Sequence, residues 1–108
     1  MSSGPDQADA VFGALADPTR RRLLAAVASQ PEATATELSA ELPISRQAVV
    51  KHLSALADAG LVGRERSGRE VHYRVTPAPL NQAVSWMAEV GGRWDSRLGA
   101  LARQFGGR

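Results

Sequence analysis

The chain has 108 residues, 44% hydrophobic, 22% charged and 5% aromatic, with a formal net charge of +2. That length suits one domain with its own core; no apolar run approaches the ~18 residues of a membrane span, and the opening Met1-Ser2-Ser3-Gly4-Pro5-Asp6 lacks the basic and apolar regions of a signal peptide, so a cytoplasmic domain is expected. With no cysteine and only His52 and His72, the sequence excludes disulfides, thiolate metal sites and cysteine nucleophiles.

Residues 1–7 read as a disordered leader. Val11, Phe12 and Leu15 then share one face of a short first helix, which stops before Asp17-Pro18. Asp17 is a good N-cap and Pro18 suits the first helical position, so a second helix opens there and runs to about Ser29. Leu23, Leu24 and Val27 form its buried stripe. Thr34-Ala35-Thr36-Glu37 is a capping box, in which the Thr and Glu side chains satisfy each other's backbone amides. Pro43 forces Leu42 out of the helical region, so this third helix has only about two turns.

Ser45 caps a fourth helix that runs to Ala59 and stops at Gly60. Val49, Leu53, Leu56 and Ala57 recur at i, i+4, i+7 and i+8 and face the core. Arg46, Gln47, Val50, Lys51 and Ser54 project from the other side. Two short helices joined by so tight a turn, the second with a basic polar face, describe a helix-turn-helix. The period then changes to two: Val71, Tyr73 and Val75 point inward, His72 and Arg74 outward. Leu61–Arg66 precedes this run, and Ser67-Gly68 supplies a glycine able to take positive φ at the turn. The result is a β-hairpin whose tip carries Arg64, Arg66 and Arg69, and a helix-turn-helix followed by a basic hairpin is a winged helix.

After Pro77 and Pro79 one long helix occupies the rest of the chain. Leu80, Val84, Met87, Gly91, Trp94, Leu98, Leu101 and Phe105 fall at alternating steps of four and three, an a/d seam. One small monomer does not readily bury so many large side chains, so this seam reads as a dimer surface. Gly91-Gly92 costs roughly 1 kcal/mol per glycine relative to alanine. Either backbones approach closely there or the helix breaks. The expected fold is therefore mainly α with a small β-hairpin, ordered α-α-α-α-β-β-α. Residues 8–76 form the winged helix and 77–108 a dimerisation helix of the same domain, pairing with Val11, Phe12 and Leu15 of the first helix.

Charge follows this organisation: residues 1–43 sum to −3, 44–76 to +3 and 77–108 to +2. The helix-turn-helix and wing thus form a basic island, the footprint of a nucleic-acid contact. Gln47 is placed to pair with adenine, Arg46 to reach guanine or phosphate, and Val50 to pack on a thymine methyl. Lys51, Arg64, Arg66 and Arg69 are placed to hold phosphates or the minor groove. Ser45 aims the positive end of the helix at the phosphates, and His52 has a packing or phosphate-contact role. The competing reading, a winged-helix module for protein contact, calls for apolar or acidic residues where Arg46, Gln47 and Lys51 stand.

Ala14-Leu15-Ala16-Asp17-Pro18-Thr19-Arg20-Arg21-Arg22-Leu23-Leu24 resembles the opening signature of the ArsR/SmtB family of bacterial winged-helix repressors. So do Glu37-Leu38, the run from Leu42 to Leu56, Ala59-Gly60-Leu61-Val62 and the wing from Gly68 to Val75. Trp86 and Arg93-Trp94-Asp95-Ser96-Arg97-Leu98 look like a subgroup with no recognised metal site. The resemblance implies a homodimer joined through first and last helices, blocking transcription at its operator. Thiolate sensors of the family carry Cys-x-Cys where this chain has Thr34-Ala35-Thr36-Glu37, and others carry Asp, His and Glu ligands where it has Asn81-Gln82-Ala83-Val84-Ser85. Val50 stands where the family often has serine.

No metal or cofactor is expected, and any effector is an unidentified small molecule or a partner protein. No base and third orienting group accompany Ser45, so it caps rather than attacks. Trp86 and Trp94 read as packing. Arg20-Arg21-Arg22 sits in the first turn of a helix, where the dipole disfavours cations. An ion pair with Asp17 or Glu37 is expected for at least one of the three. His72 reads as solvated.

Overall fold

The computed structural model describes residues 5–101 and 103, leaving aside the side chains of residues 5, 6, 94, 95, 98 and 101. The elements are α1 Pro5–Leu15, α2 Pro18–Ala28, β1 Ala33–Thr34, α3 Ala35–Glu41, α4 Arg46–Asp58, β2 Val62–Ser67, β3 Glu70–Val75 and α5 Pro77–Leu101. Because α1 opens at Pro5, residues 5–7 are helical rather than part of a leader. Residues 1–4 lie outside the described residues.

Local chemistry sets the boundaries. The Asp17 carboxylate accepts from the backbone N–H of Thr19 at 2.7 Å and of Arg20 at 3.2 Å, starting α2 behind Pro18. In the capping box of α3, Thr34 Oγ1 accepts from Glu37 N–H at 3.2 Å and Glu37 Oε1 accepts from Thr34 N–H at 2.9 Å. Leu42, extended at φ −117° and ψ 145°, ends that helix before Pro43. The end of α4 is a Schellman motif. Gly60 takes φ +81°, its N–H donates to the Ala57 carbonyl, and Leu61 N–H donates to the Leu56 carbonyl, both at 2.9 Å.

The core lies where α1 to α4 converge on the hairpin. Val11, Leu23, Val27, Leu38, Val49, Leu53, Leu56 and Leu61 are fully buried, with Tyr73 beside them. Each such leucine contributes about 1.5–3 kcal/mol relative to exposure, so the recognition helix is fixed to the domain by its inner face. Val11 is one of these core residues. Its expected place in a dimer surface is corrected by its 0% exposure.

The hairpin turns through Gly68 at φ +63°, with Ser67 paired to Glu70. Positive φ at the first central residue alone is the II′ form that suits strand twist. A third strand, which the sequence reading lacks, joins it. β1 pairs antiparallel with β3 through Ala33↔Tyr73 and Thr34↔His72, giving the order β1-β3-β2. Two residues carry no alternation of their own, so only the partner strand makes them a strand.

α5 begins with prolines at its first and third positions, where backbone N–H groups have no helical acceptor anyway. It runs unbroken through Gly91 and Gly92, where a Cβ would meet no atom within 4 Å. The first turns of α5 pack on α1 through Ala83, 2% exposed, and half-buried Leu80. Phe12 and Trp86 meet edge to face at 5.6 Å. Beyond that contact the helix extends away, giving a longest dimension of 65 Å and a radius of gyration of 18.3 Å. A compact domain of this length has a radius near ~13 Å.

Candidate nucleic-acid interface

Ser45 begins α4, its hydroxyl accepting from Ala48 N–H at 3.1 Å. Gln47 and Lys51 follow one turn apart, both exposed on the face opposite Val49, Leu53 and Leu56. Arg46 is exposed too, but its Nε donates to Thr36 Oγ1 at 3.2 Å, so its arm lies back across α3. Val50 is half-buried against the core and lines a cavity of about 330 Å³ between α3, α4 and the hairpin. It stands at the rim of the exposed face rather than in its middle.

His52 lies on the α2 side of α4. Its Nδ1 accepts from Arg20 Nε at 3.3 Å, which separates it from the face shared by Gln47 and Lys51 and makes it a contact between helices. Arg21 donates to the Leu15 carbonyl at 2.5 Å. Among the described residues no ion pair holds Arg20, Arg21 or Arg22, contrary to expectation. The two carboxylates expected as partners are already engaged, Asp17 by backbone amides and Glu37 by its capping box. The hydrogen bond from Arg20 N–H holds the Asp17 carboxyl below its ordinary value. Burial opposes this, while Thr19 N–H and the charge of Arg20 assist.

Arg64, Arg66 and Arg69 are exposed along the hairpin. The register sets Arg64 opposite Tyr73 and Arg66 opposite Val71, so both belong to the face that continues from the core. Glu65, opposite His72, belongs to the other face and lies 3.6 Å from Arg74. His72 is not simply solvated. Its side chain is 24% exposed, with Nδ1 2.9 Å from Glu32 and Nε2 3.1 Å from Glu70. The wing thus presents Arg64 and Arg66 on one face, and Glu65, Glu70, His72 and Arg74 on the other.

On α5, Val84 and Met87 of the expected seam are 50% and 48% exposed, while Phe12 and Leu15 of α1 are half-buried. The side chains of Trp94, Leu98, Leu101 and Phe105 lie outside the described residues. Beside the seam runs a second row that sequence reasoning missed: Pro79, Ala83, Trp86 and Val90. The same four-three spacing was its available signal. Its first two members are buried, whereas Trp86 and Val90 are 55% and 40% exposed. Pro79, Ala83 and Trp86 of this row, with Phe12, border a cleft of about 660 Å³ between α1 and α5.

A family model for a helix-turn-helix domain matches residues 15–64. The HTH-type transcriptional regulator YuzN of Bacillus subtilis is 47% identical over 73 residues, 62% of this chain and 76% of that protein. The transcriptional repressor SdpR of the same species is 28% identical over 88 residues, covering 82% and 97% of the two chains. Among solved structures, an ArsR-like transcriptional regulator from Rhodococcus sp. RHA1 superposes with a TM-score of 0.76 at 38% identity, covering 92% of each chain. A helix-turn-helix with a basic wing, carried at this identity over nearly its whole length, makes the chain a DNA-binding transcriptional regulator of the ArsR family and not an enzyme.

Proposed function

We propose that the chain is a repressor that acts in the cytoplasm as a symmetric homodimer on an inverted-repeat operator. The observation that carries this reading is the exposed apolar face of α5, where Val84, Trp86, Met87 and Val90 are each 40–55% exposed. A helix face of this kind needs a second apolar surface. The sequence continues it through Trp94, Leu98, Leu101 and Phe105, and a second copy brings the same row. Phe12 and Leu15 of α1 adjoin it.

Twofold symmetry sets two α4 helices into successive major grooves, so the half-sites lie about one helical turn (~34 Å) or a multiple of it apart. Gln47 and Val50 read bases there, while Lys51, Arg64, Arg66 and Arg69 hold phosphates. An organic effector is part of this proposal. The cleft between α1 and α5 supports this, because a molecule seated against Phe12 and Trp86 presses on the helices that hold the dimer.

Sedimentation of the purified protein, together with selection of bound duplexes from a random pool, tests this reading. A dimer at micromolar concentration and a palindromic selected sequence are expected. A well-folded monomer at that concentration, or selection of a single unrepeated half-site, overturns it.

A further inference from the structure

We propose that Thr36 and Arg46 form, with Arg69 of the wing, a seat for one DNA backbone phosphate, and that Arg46 does not read a base. This rests on the reading of α4 as the recognition helix and assigns Thr36 a role in it. Arg46 stands at the first position of α4, yet its Nε is donated ten residues back to the Thr36 hydroxyl at 3.2 Å. That bond occupies the Nε edge of the guanidinium and folds the arm over the α3–α4 turn. The four N–H groups on its two terminal nitrogens remain, the fork geometry that suits a phosphate.

The surroundings match that ligand. The cavity of about 330 Å³ is lined by Thr34, Thr36, Arg46 and Arg69 over an apolar floor that includes Val50 and Tyr73. Among the described residues lining it, Glu70 is the one acid, against two arginines. Glu37, next along α3, is engaged by Thr34 N–H at 2.9 Å. Thr36 Oγ1 accepts from Arg46 and keeps its own hydrogen to donate to a phosphate oxygen. The cavity joins the recognition helix to the wing, the line a DNA strand follows when α4 lies in the major groove beside it. Thr36 is thus a positioning residue, and sequence choice falls to Gln47 and Val50.

The test uses a duplex selected from a random pool by the full-length protein, and its single-base variants, titrated at several salt concentrations. Arg46→Ala is expected to weaken every duplex by the same factor and to lower the salt slope by about one. Thr36→Val is expected to weaken binding on the order of threefold to tenfold, as for one hydrogen bond, again uniformly. Thr36→Ser is expected to bind as wild type. The proposal is overturned if Arg46→Ala relaxes preference at one base pair with the salt slope unchanged, or if Thr36→Val binds as wild type. Wild-type protein that selects no sequence, with Gln47→Ala indistinguishable from it, overturns the reading of α4 itself and this proposal with it.

Discussion

Gly60→Ala measures how firmly the recognition helix is joined to the wing. Gly60 sits at φ +81°, where it closes α4 and hands the chain to Leu61 and β2. An alanine held there costs roughly 1–2 kcal/mol, because its Cβ crowds the following carbonyl oxygen. The new methyl would lie 3.4 Å from Gln7 Nε2 and 3.5 Å from Pro79 Cγ, ordinary contacts that add little strain. Alanine also stiffens the unfolded chain, offsetting about 0.4–1 kcal/mol. The net loss is therefore about 0–1.6 kcal/mol, a fall in Tm of up to several degrees for a domain of this size. Gly60→Asn, which tolerates left-handed backbone better, should lose less. Denaturant melts of the three proteins at one fixed concentration make the comparison, since a dimer's midpoint depends on concentration. Refolded variants should bind DNA as wild type, because Gly60 lies at the far end of α4 from Gln47. An alanine variant more stable than wild type, or an asparagine variant less stable than alanine, would refute the argument from backbone conformation.

Gln47→Ala should cost about 1–3 kcal/mol at one base position and relax preference there, whereas Arg66→Ala should weaken all duplexes alike and flatten the salt dependence. An identical uniform loss for both across operator variants would show that α4 and the wing do not divide the work this way. Met87→Glu, at a position 48% exposed in the single chain, should leave the fold intact and shift sedimentation toward monomer; an unchanged dimer moves the interface elsewhere. Asp17 is held below its ordinary value of 3.8, so its stabilisation is fully present above that pH and is lost as pH falls through its lower folded value. Asp17→Asn should therefore show a smaller stability loss between pH 5 and pH 2 than wild type in urea melts, and an equal loss would count against the cap as an acid-sensitive element.

Much of this protein is legible without coordinates because its signals are local. Asp17-Pro18, the Thr34/Glu37 box and Ser45 mark helix starts through bonds made within four residues. Pro43, Gly60 and Gly68 mark stops and turns through backbone limits that hold in any fold. The heptad spacing of α5 was equally readable, and its described members Val84 and Met87 are about half exposed in the single chain.

What tertiary structure decided are contacts between segments remote in sequence. Val11 shares its helix face with Phe12, and only packing against the rest of the domain sends it into the core. β1 exists because β3 supplies its hydrogen bonds. His52 meets Arg20 across 32 residues, and His72 meets Glu32 only once β1 and β3 lie side by side. Arg46 meets Thr36 because the α3–α4 turn brings two helix starts together. Spacing along a chain records which face a residue occupies, but the identity of the group opposite it depends on how the elements are stacked.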